Sequence, residues 1–496
     1  MSATSSSVAT AASLKAGVPY QGNDRLLYGI IMGVIAFWLF AQTTLNVAPD
    51  MQKDLGLDSS MINIAVAITA LFSGIFIVVI GGLADRVGRV KVVRIGFYLS
   101  MVGSLLIGLA PTGSMGAPLL LFGRALQGLS AACIMPASLA LVKTYWDGAA
   151  RQRAVSLWSI GSWGGSGVCS LFGGFVSANF GWRYIFFSSI LVSLFGLFLM
   201  KGTPESKAET KGDYKFDFAG VITFMIAMVA LQIVVTQGNK LGWMSPLILA
   251  LFAVTVVFGS LFFRIESSAA QGFVDFKLFR NPTYTGATIS NFLLNGVAGT
   301  LLVSLQLVQR GGNMSAQQAG MLTLGYAVAI IAFIRVGEKL LQRFGSRLPM
   351  IWGCLITGTA IVLLSPANLM LADYKTLAII GYTLFGVGLA FYATPSTDAA
   401  LSSLPASQAG SGAGIYKMAS SLGAAFGVAI SAAIFTALSA DSGVQWLEGV
   451  ITFQGRQDNL AVREAAIIAM MFNVFMVVVA ILSIMLTVPK AKKTTS

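Results

Sequence analysis

Stretches of about twenty apolar residues recur along the whole chain, and no other feature of the sequence restricts the fold so severely. A helix needs roughly 20 such residues to cross a hydrocarbon core of about 30 Å. Fourteen runs meet that requirement, near 26–48, 61–84, 92–110, 117–144, 153–179, 184–202, 217–237, 246–265, 284–309, 318–336, 348–367, 376–399, 411–438 and 463–488. They lack the alternation over about ten residues that marks lipid-spanning strands. The expected fold is therefore an all-α membrane protein with fourteen transmembrane helices. Composition agrees, since only 10% of the 496 residues are charged against about 25% in soluble domains. The 54 glycines suit helices that approach closely in lipid.

Basic residues set the orientation. Most of the 32 Lys and Arg fall in tails and loops on the same side as the N-terminus, which the positive-inside rule makes cytoplasmic. Both termini are then expected inside. The net charge of +13 follows from this topology and calls for no nucleic-acid partner. Residues 1–24 are polar and show no cleaved signal peptide. Cys133, Cys169 and Cys354 all lie within runs, so no disulfide framework is expected. With no histidine in the chain, imidazole metal sites and Ser-His catalysis are excluded. No Walker-type phosphate loop occurs either, which argues against ATP hydrolysis. Neither a cofactor nor a metal is expected. An enzyme is not expected, because catalytic residues do not cluster.

The chain repeats itself. "EKLLQRFGSR" (338–347) echoes the turn "GGLADRVGRV" (81–90), with Gly345 on Gly88 and Gln342 on Asp85. "YATPSTDAA" (392–400) echoes "IMPASLALV" (134–142), and "LGAAFGV" (422–428) echoes "SWGGSGV" (162–168). The offsets are 257, 259 and 260 residues. Runs 1–6 and 9–14 thus form parallel halves, and runs 7 and 8 are an inserted pair. Seven segments are expected: a polar tail (1–25), a six-helix bundle (26–202), a linker (203–216), the inserted pair (217–265), an amphipathic loop (266–283), a second six-helix bundle (284–488) and a tail (489–496). Within the loop, Phe273, Val274, Phe276, Leu278 and Phe279 suggest a helix lying on the inner membrane surface. Parallel halves of this kind commonly hold a substrate path at the midplane.

The turn between runs 2 and 3 carries Gly81, Leu83, Ala84, Asp85, Arg86, Gly88 and Arg89. Glycines allow a tight turn there, and Asp85 can meet a helix N-terminus or a basic side chain. These residues match the G-x-L-A-D-R-x-G-R signature, and the chain resembles the major facilitator superfamily. "RALQGLSAA" (124–132) looks like its R-x-x-Q-G motif, and the inserted pair resembles its fourteen-helix drug:proton antiporter branch. "FWLFAQ", "GSWGGSGVCS", "NFLLNGVAGT" and "YATPSTD" look most like the NorB-type quinolone exporters. The resemblance implies a bacterial cytoplasmic-membrane exporter of amphipathic drugs, quinolones and biocides included, in exchange for protons. It also implies that Gly81, Leu83, Asp85, Arg86, Gly88 and Arg89 latch an inner gate. The partners so implied are small amphipathic molecules, protons and membrane lipid, with the monomer as working unit. An exporter of a metabolite, fatty acid or lipid is the alternative.

The chain departs from that pattern in two places. The acid of the branch's first-helix motif falls on Ala41, and Cys169-Ser170 stands where the fifth-helix motif has Gly-Pro. Packing of run 5 rests on Gly161, Gly165, Gly173 and Gly174. Of the 19 acids, Asp398 is read as the one inside a run, as a cap, facing water or exchanging a proton. Two bases lie deep. Arg124 either clamps backbone carbonyls or joins Gln127 in coupling and substrate contact. Lys417 either faces the cavity or snorkels to the inner interface. A cavity carrying these bases repels bare cations and offers a cargo carboxylate a partner. Trp38, Gln42, Asn46, Trp158, Trp163, Asn291, Asn295, Tyr392 and Tyr416 are the candidate cavity residues, with interhelical bonding as the alternative for each. Trp182 and Arg183 read as an interface anchor.

Overall fold

Helix lies over every one of the fourteen runs in the computed structural model. The structure describes residues 20–113, 115–208, 217–268, 276–440, 447, 449–455 and 459–490. The helices of the first half are α1 (Asp24–Ile35, a π-helical turn Ala36–Ala41, then Thr44–Leu55), α2 (Ser59–Val87), α3 (Arg89–Gly108) and α4 (Gly116–Tyr145). It continues with α5 (Gly148–Ser159, a π-helical turn Ile160–Gly164, then Gly165–Phe180) and α6 (Arg183–Leu199). The inserted pair is α7 (Phe218–Leu241) and α8 (Pro246–Ser268). Then come α9 (Pro282–Gly296, Gly299–Gln306 and a π-helical turn Leu307–Gly311), α10 (Ala316–Leu322 and Leu324–Phe344) and α11 (Arg347–Leu364). The last three are α12 (Leu371–Ser403), α13 (Ala409–Ala440) and α14 (Leu460–Thr487).

Among the described residues twelve helices are long and apolar enough to cross a membrane. The two runs outside that group are 5 and 6. Helix α5 is interrupted by its π-helical turn, and α6 has 17 residues. Their adjoining segments, Leu171–Phe180 and Arg183–Leu199, meet at 115°. The helices are compatible with fourteen crossings.

Two bundles form, and they use the same contacts. In the first, α3 and α2 pack on α4, and α1 lies against α5 and α6. In the second, α11 and α10 pack on α12, and α9 lies against α13 and α14. The bundles meet along two seams, α2 with α13 and α10 with α5. Helix α7 packs on α8 and touches the α2–α13 seam from outside. Among the described residues of α8 only Ile248 and Glu266 are buried, so its surface is left to lipid.

Small residues let these backbones touch. A Cβ on Gly427 would strike the backbone of Gly296, and one on Gly81 would strike that of Gly410. In the first half Gly161 and Gly165 meet α1 at Val34 and Trp38, and Gly173 meets Thr43. Gly174 does not share this role. It is exposed, with open space where its Cβ would stand, because it lies one residue (about 100° of helix turn) from Gly173.

Other sequence expectations are corrected. Residues 209–216, Phe273, Val274 and Trp446 lie outside the described residues. Of the loop 266–283, Phe276–Arg280 forms a short 3₁₀ turn. It places Phe276 against Phe262 and Phe263 at the end of α8, with Leu278 buried. Trp182 is buried as well. Its indole N–H donates to Asp54 at 3.0 Å, and Arg183 pairs with the same carboxylate, so the pair ties α6 to the end of α1. Asp398 is not the only acid in the helices, since Glu266 and Glu464 are buried in α8 and α14.

Glycine positions make the packing testable. Gly427→Val forces α9 and α13 apart and should cost about 1–3 kcal/mol, read as a lowered thermal midpoint in detergent. Gly174→Val, in open space, should leave the midpoint unchanged.

Candidate functional site

The charged turn between α2 and α3 is a junction of both bundles. Gly88 has φ +128°, a conformation that disfavours any side chain, and a Cβ there would strike the Glu205 carboxylate. The chain therefore reverses within one residue, which buries Asp85 and Arg89 together. Helix α13 begins beside them with unsatisfied N–H groups. Gly410 N–H donates to both oxygens of Asp85, at 2.8 and 2.9 Å, and Ser411 N–H donates at 3.0 Å. Arg89 pairs with the same carboxylate at 2.8 Å. Its remaining N–H groups donate to Thr144, Ser206 and the Ala406 carbonyl. Both partners foreseen for Asp85 are thus engaged at once. Glu205, from the linker, accepts the N–H groups of Val90 and Lys91 at the start of α3. Arg86 is half-buried. Leu83 is exposed and takes no part in the junction, since its side chain points off the seam.

A second tie closes the same end of the molecule. Arg151 in α5 donates to Asp398 in α12 at 3.0 Å, across the bundles. Lys143 of α4 reaches the Ser402 carbonyl of α12 at 3.5 Å. Asp398 is neither a helix cap nor exposed to water; it is a buried member of an interbundle ion pair. The turn's echo differs chemically. Gly345 keeps a positive φ of +73°, yet Gln342 donates to Glu338 within α10, and Arg335 pairs with that same acid.

Above this sealed end lies a cavity of ≈ 200 Å³ between the bundles. Trp38, Trp163, Asn295, Tyr326, Lys417 and Ser420 contribute its polar and aromatic wall. Three of the helices around it are deformed at the cavity. Trp38 and Trp163 sit on the π-helical turns of α1 and α5, and α9 breaks between Gly296 and Gly299. Such interruptions re-aim side chains and gather at functional sites. Among the described residues Lys417 is the one Lys or Arg on the wall, and Asp and Glu are absent from it. Its ammonium lies 5.0 Å from the Trp158 ring centroid and 5.8 Å from that of Trp38. Trp158 is held by its own N–H, donated to Ser138 at 2.9 Å. The Trp38 N–H is buried without a partner among the described residues.

The remaining candidates lie elsewhere. Arg124 donates to the carbonyls of Ala65 and Ala41, at 3.0 and 2.7 Å, and to Gln127 at 2.6 Å. It is a clamp inside the first bundle, and Gln127 serves that clamp while also reaching Ser104. Asn291 donates to the Tyr416 carbonyl and to Ser420, tying α9 to α13. Tyr392 and Tyr416 bond with Ser290, Ser396 and Thr397 in the core of the second bundle. Trp158 lies fully buried under Lys417, and neither Gln42 nor Asn46 is on the cavity wall. Arg151 and Tyr326 were missed. Arg151 reads as an ordinary positive-inside loop residue, and nothing in "LGYAVAI" marks Tyr326.

Two substitutions separate these roles. Asp85→Asn removes the charge that holds the α13 N-terminus, worth on the order of 1.5–3 kcal/mol. Cross-linking of cysteines placed at 143 and 402 should fall as the sealed end opens. Arg124→Gln should lower thermal stability by on the order of 2 kcal/mol and leave ligand affinity at the cavity nearly unchanged.

Comparison with known proteins agrees with this architecture. The family model of the Major Facilitator Superfamily matches residues 30–310 and 283–496. The quinolone resistance protein NorB of Staphylococcus aureus (strain MRSA252) is 48% identical over 476 residues, 96% of this chain and 98% of that protein. The same protein of strain MSSA476 is 48% identical over 478 residues, with the same coverage. Among solved structures, the proton:xylose symporter XylE bound to 6-bromo-6-deoxy-D-glucose superposes with a TM-score of 0.63 at 16% identity, over 94% of this chain and 96% of that one. The human organic anion transporter MFSD10 (TETRAN) does so at 0.59 and 13% identity, over 92% and 98%. These two likenesses speak for the fold. Two bundles with a latched turn, the family match and chain-long relatives at 48% identity place this chain in the major facilitator superfamily.

Proposed function

We propose that this chain is a secondary active exporter of amphipathic aromatic drugs of the quinolone type, driven by protons moving inward. The observation that carries the reading is the aromatic cavity between the bundles, shut at one end by two interbundle ties. Flat aromatic cargo suits such walls, with a few polar groups to orient it. Relatives named as quinolone resistance proteins over nearly the whole chain support the cargo class. Transport needs no cofactor in this reading, because the proton gradient supplies the energy.

Alternating access follows from the two seams. With the charged turn on the cytoplasmic side, as the basic residues argue, the ties of Asp85 and Asp398 hold the inner face shut. Opening inward costs the bonds at Gly410, Ser411 and Arg151, and cargo or proton binding must offset that cost. Such a switch moves only as far as the ligand's differential affinity for the two states allows. The bundles 26–202 and 284–488 act as the rocking bodies, with the pair 217–265 riding outside in lipid. A single chain contains the whole path.

Vesicles holding the purified protein test this directly. A quinolone should move uphill when a pH gradient is imposed, and a protonophore should abolish the accumulation. Accumulation unaffected by collapse of the gradient would overturn proton coupling. A cysteine at Lys490 should label only from the cytoplasmic face; labelling from outside would reverse the topology.

A further inference from the structure

An exchanger needs one group whose protonation opposes cargo binding. In this cavity that requirement meets an unusual setting, since among the described residues Asp and Glu are absent from the wall and one lysine stands on it. Among the described residues Lys417 has no ion pair; two indole faces hold its ammonium. Indole faces are general receptors for cations, worth about 2 kcal/mol or more once desolvated. They would hold a drug ammonium as readily as a lysine ammonium. Both cannot sit there together, because like charges in a medium of low dielectric repel strongly.

We infer that Lys417 is the proton-bearing group of the exchange, its ammonium competing with the cationic group of the cargo for the face of Trp38 on the cavity wall, while Trp158 backs the lysine from beneath. Cargo entering from one side finds the cavity when Nζ keeps its lone pair and has passed its proton to water. After release, a proton from the other side returns to Nζ, and the ammonium settles back on the rings. One proton is exchanged for one positive charge, with no carboxylate involved. The inference rests on the export reading given above.

The surroundings leave this role to Lys417. The packed neighbours bring Asp85 and Arg86 on α2, Arg124 and Lys143 on α4, and Tyr284 on α9. Asp398 and Tyr392 come from α12, Arg463 and Glu464 from the far end of α14, and Tyr416 from α13 itself, while Tyr326 of α10 shares the cavity wall. Arg89 and the α13 N-terminus engage Asp85, and Arg151 engages Asp398. Arg124 is spent on carbonyls, and a guanidinium does not give up its proton, whereas a lysine can. A cargo carboxylate meeting this base, as the sequence suggested, would have the opposite sign: it would draw a proton in.

Proton release on binding decides between them. Tetraphenylphosphonium, a permanent cation without a carboxylate, is added to the full-length protein in weakly buffered detergent solution. Binding is followed by tryptophan fluorescence and proton release by a pH dye. Wild type should release about one proton per cation at a pH where Lys417 is charged, and its affinity should rise by up to about tenfold per pH unit. Lys417→Gln should bind the cation with no release and no pH dependence. Lys417→Arg, which keeps size and charge, should bind at least tenfold more weakly at every pH. Release that persists in Lys417→Gln, or proton uptake by wild type, would overturn the inference. Pelleting or aggregation of Lys417→Gln leaves the decision to Lys417→Arg, whose binding at wild-type strength would also overturn it. A wild type that binds no cation and exports no drug would fail the export reading itself.

Discussion

Hydrocarbon offers no water to an N–H or C=O group, and the whole structure depends on that constraint. Each crossing has to satisfy its own backbone, so helices fill the chain. Helices in lipid gain little by burying apolar surface against each other, and close backbone packing takes over. Glycine supplies that closeness at the α2–α13 seam, Gly81 with Gly410, and inside the second bundle, Gly296 with Gly427. The same constraint turns every buried charge into a question of partners. Asp85 finds a helix N-terminus and Arg89; Asp398 finds Arg151; Arg124 finds carbonyls.

These partnerships fall into two kinds. Bonds within a bundle, such as those of Arg124, join helices of one body. Bonds at Asp85, Asp398 and Lys143 join one bundle to the other. The sealed end is therefore built from polar contacts across the bundles, while the bundle interiors rely on packing and on internal clamps such as that of Arg124. The pseudo-repeat explains the layout of two similar seams, and the loss of Asp85's counterpart at Gln342 explains why their locks differ. One seam uses a helix N-terminus, and beside the other Arg151 joins Asp398.

Cavity geometry adds a third element. Six helices line the cavity; among them α1 and α5 take π-helical turns, α9 breaks and α13 continues unbroken through Lys417. The deformed helices supply indoles and Asn295, and α13 supplies the charge. A lysine buried among apolar neighbours is expensive, and the two ring faces are what make it tolerable here.

Most of the architecture was legible in the residues themselves. Run length forces helices, because the lipid span and the helix rise are fixed quantities. The offset near 260 residues forces parallel halves, as the matching positive φ at Gly88 and Gly345 and the in-helix Pro136 and Pro395 bear out. Even the partners of Asp85 followed from its acid, its turn and its place beside a helix start. What the chain's order does not carry is azimuth. Depth along a helix can be counted, but the direction a side chain faces depends on its neighbours and on local changes of helical twist. Arg124 and Lys417 lie at comparable depth in sequence, yet one faces carbonyls inside a bundle and the other faces the cavity. The π-helical turns that swing Trp38 and Trp163 to the wall have no marker in their residues. Arg151 meets Asp398 only because two bundles lean together. Those choices belong to the tertiary structure, since each requires a partner remote in sequence to stand at a particular angle.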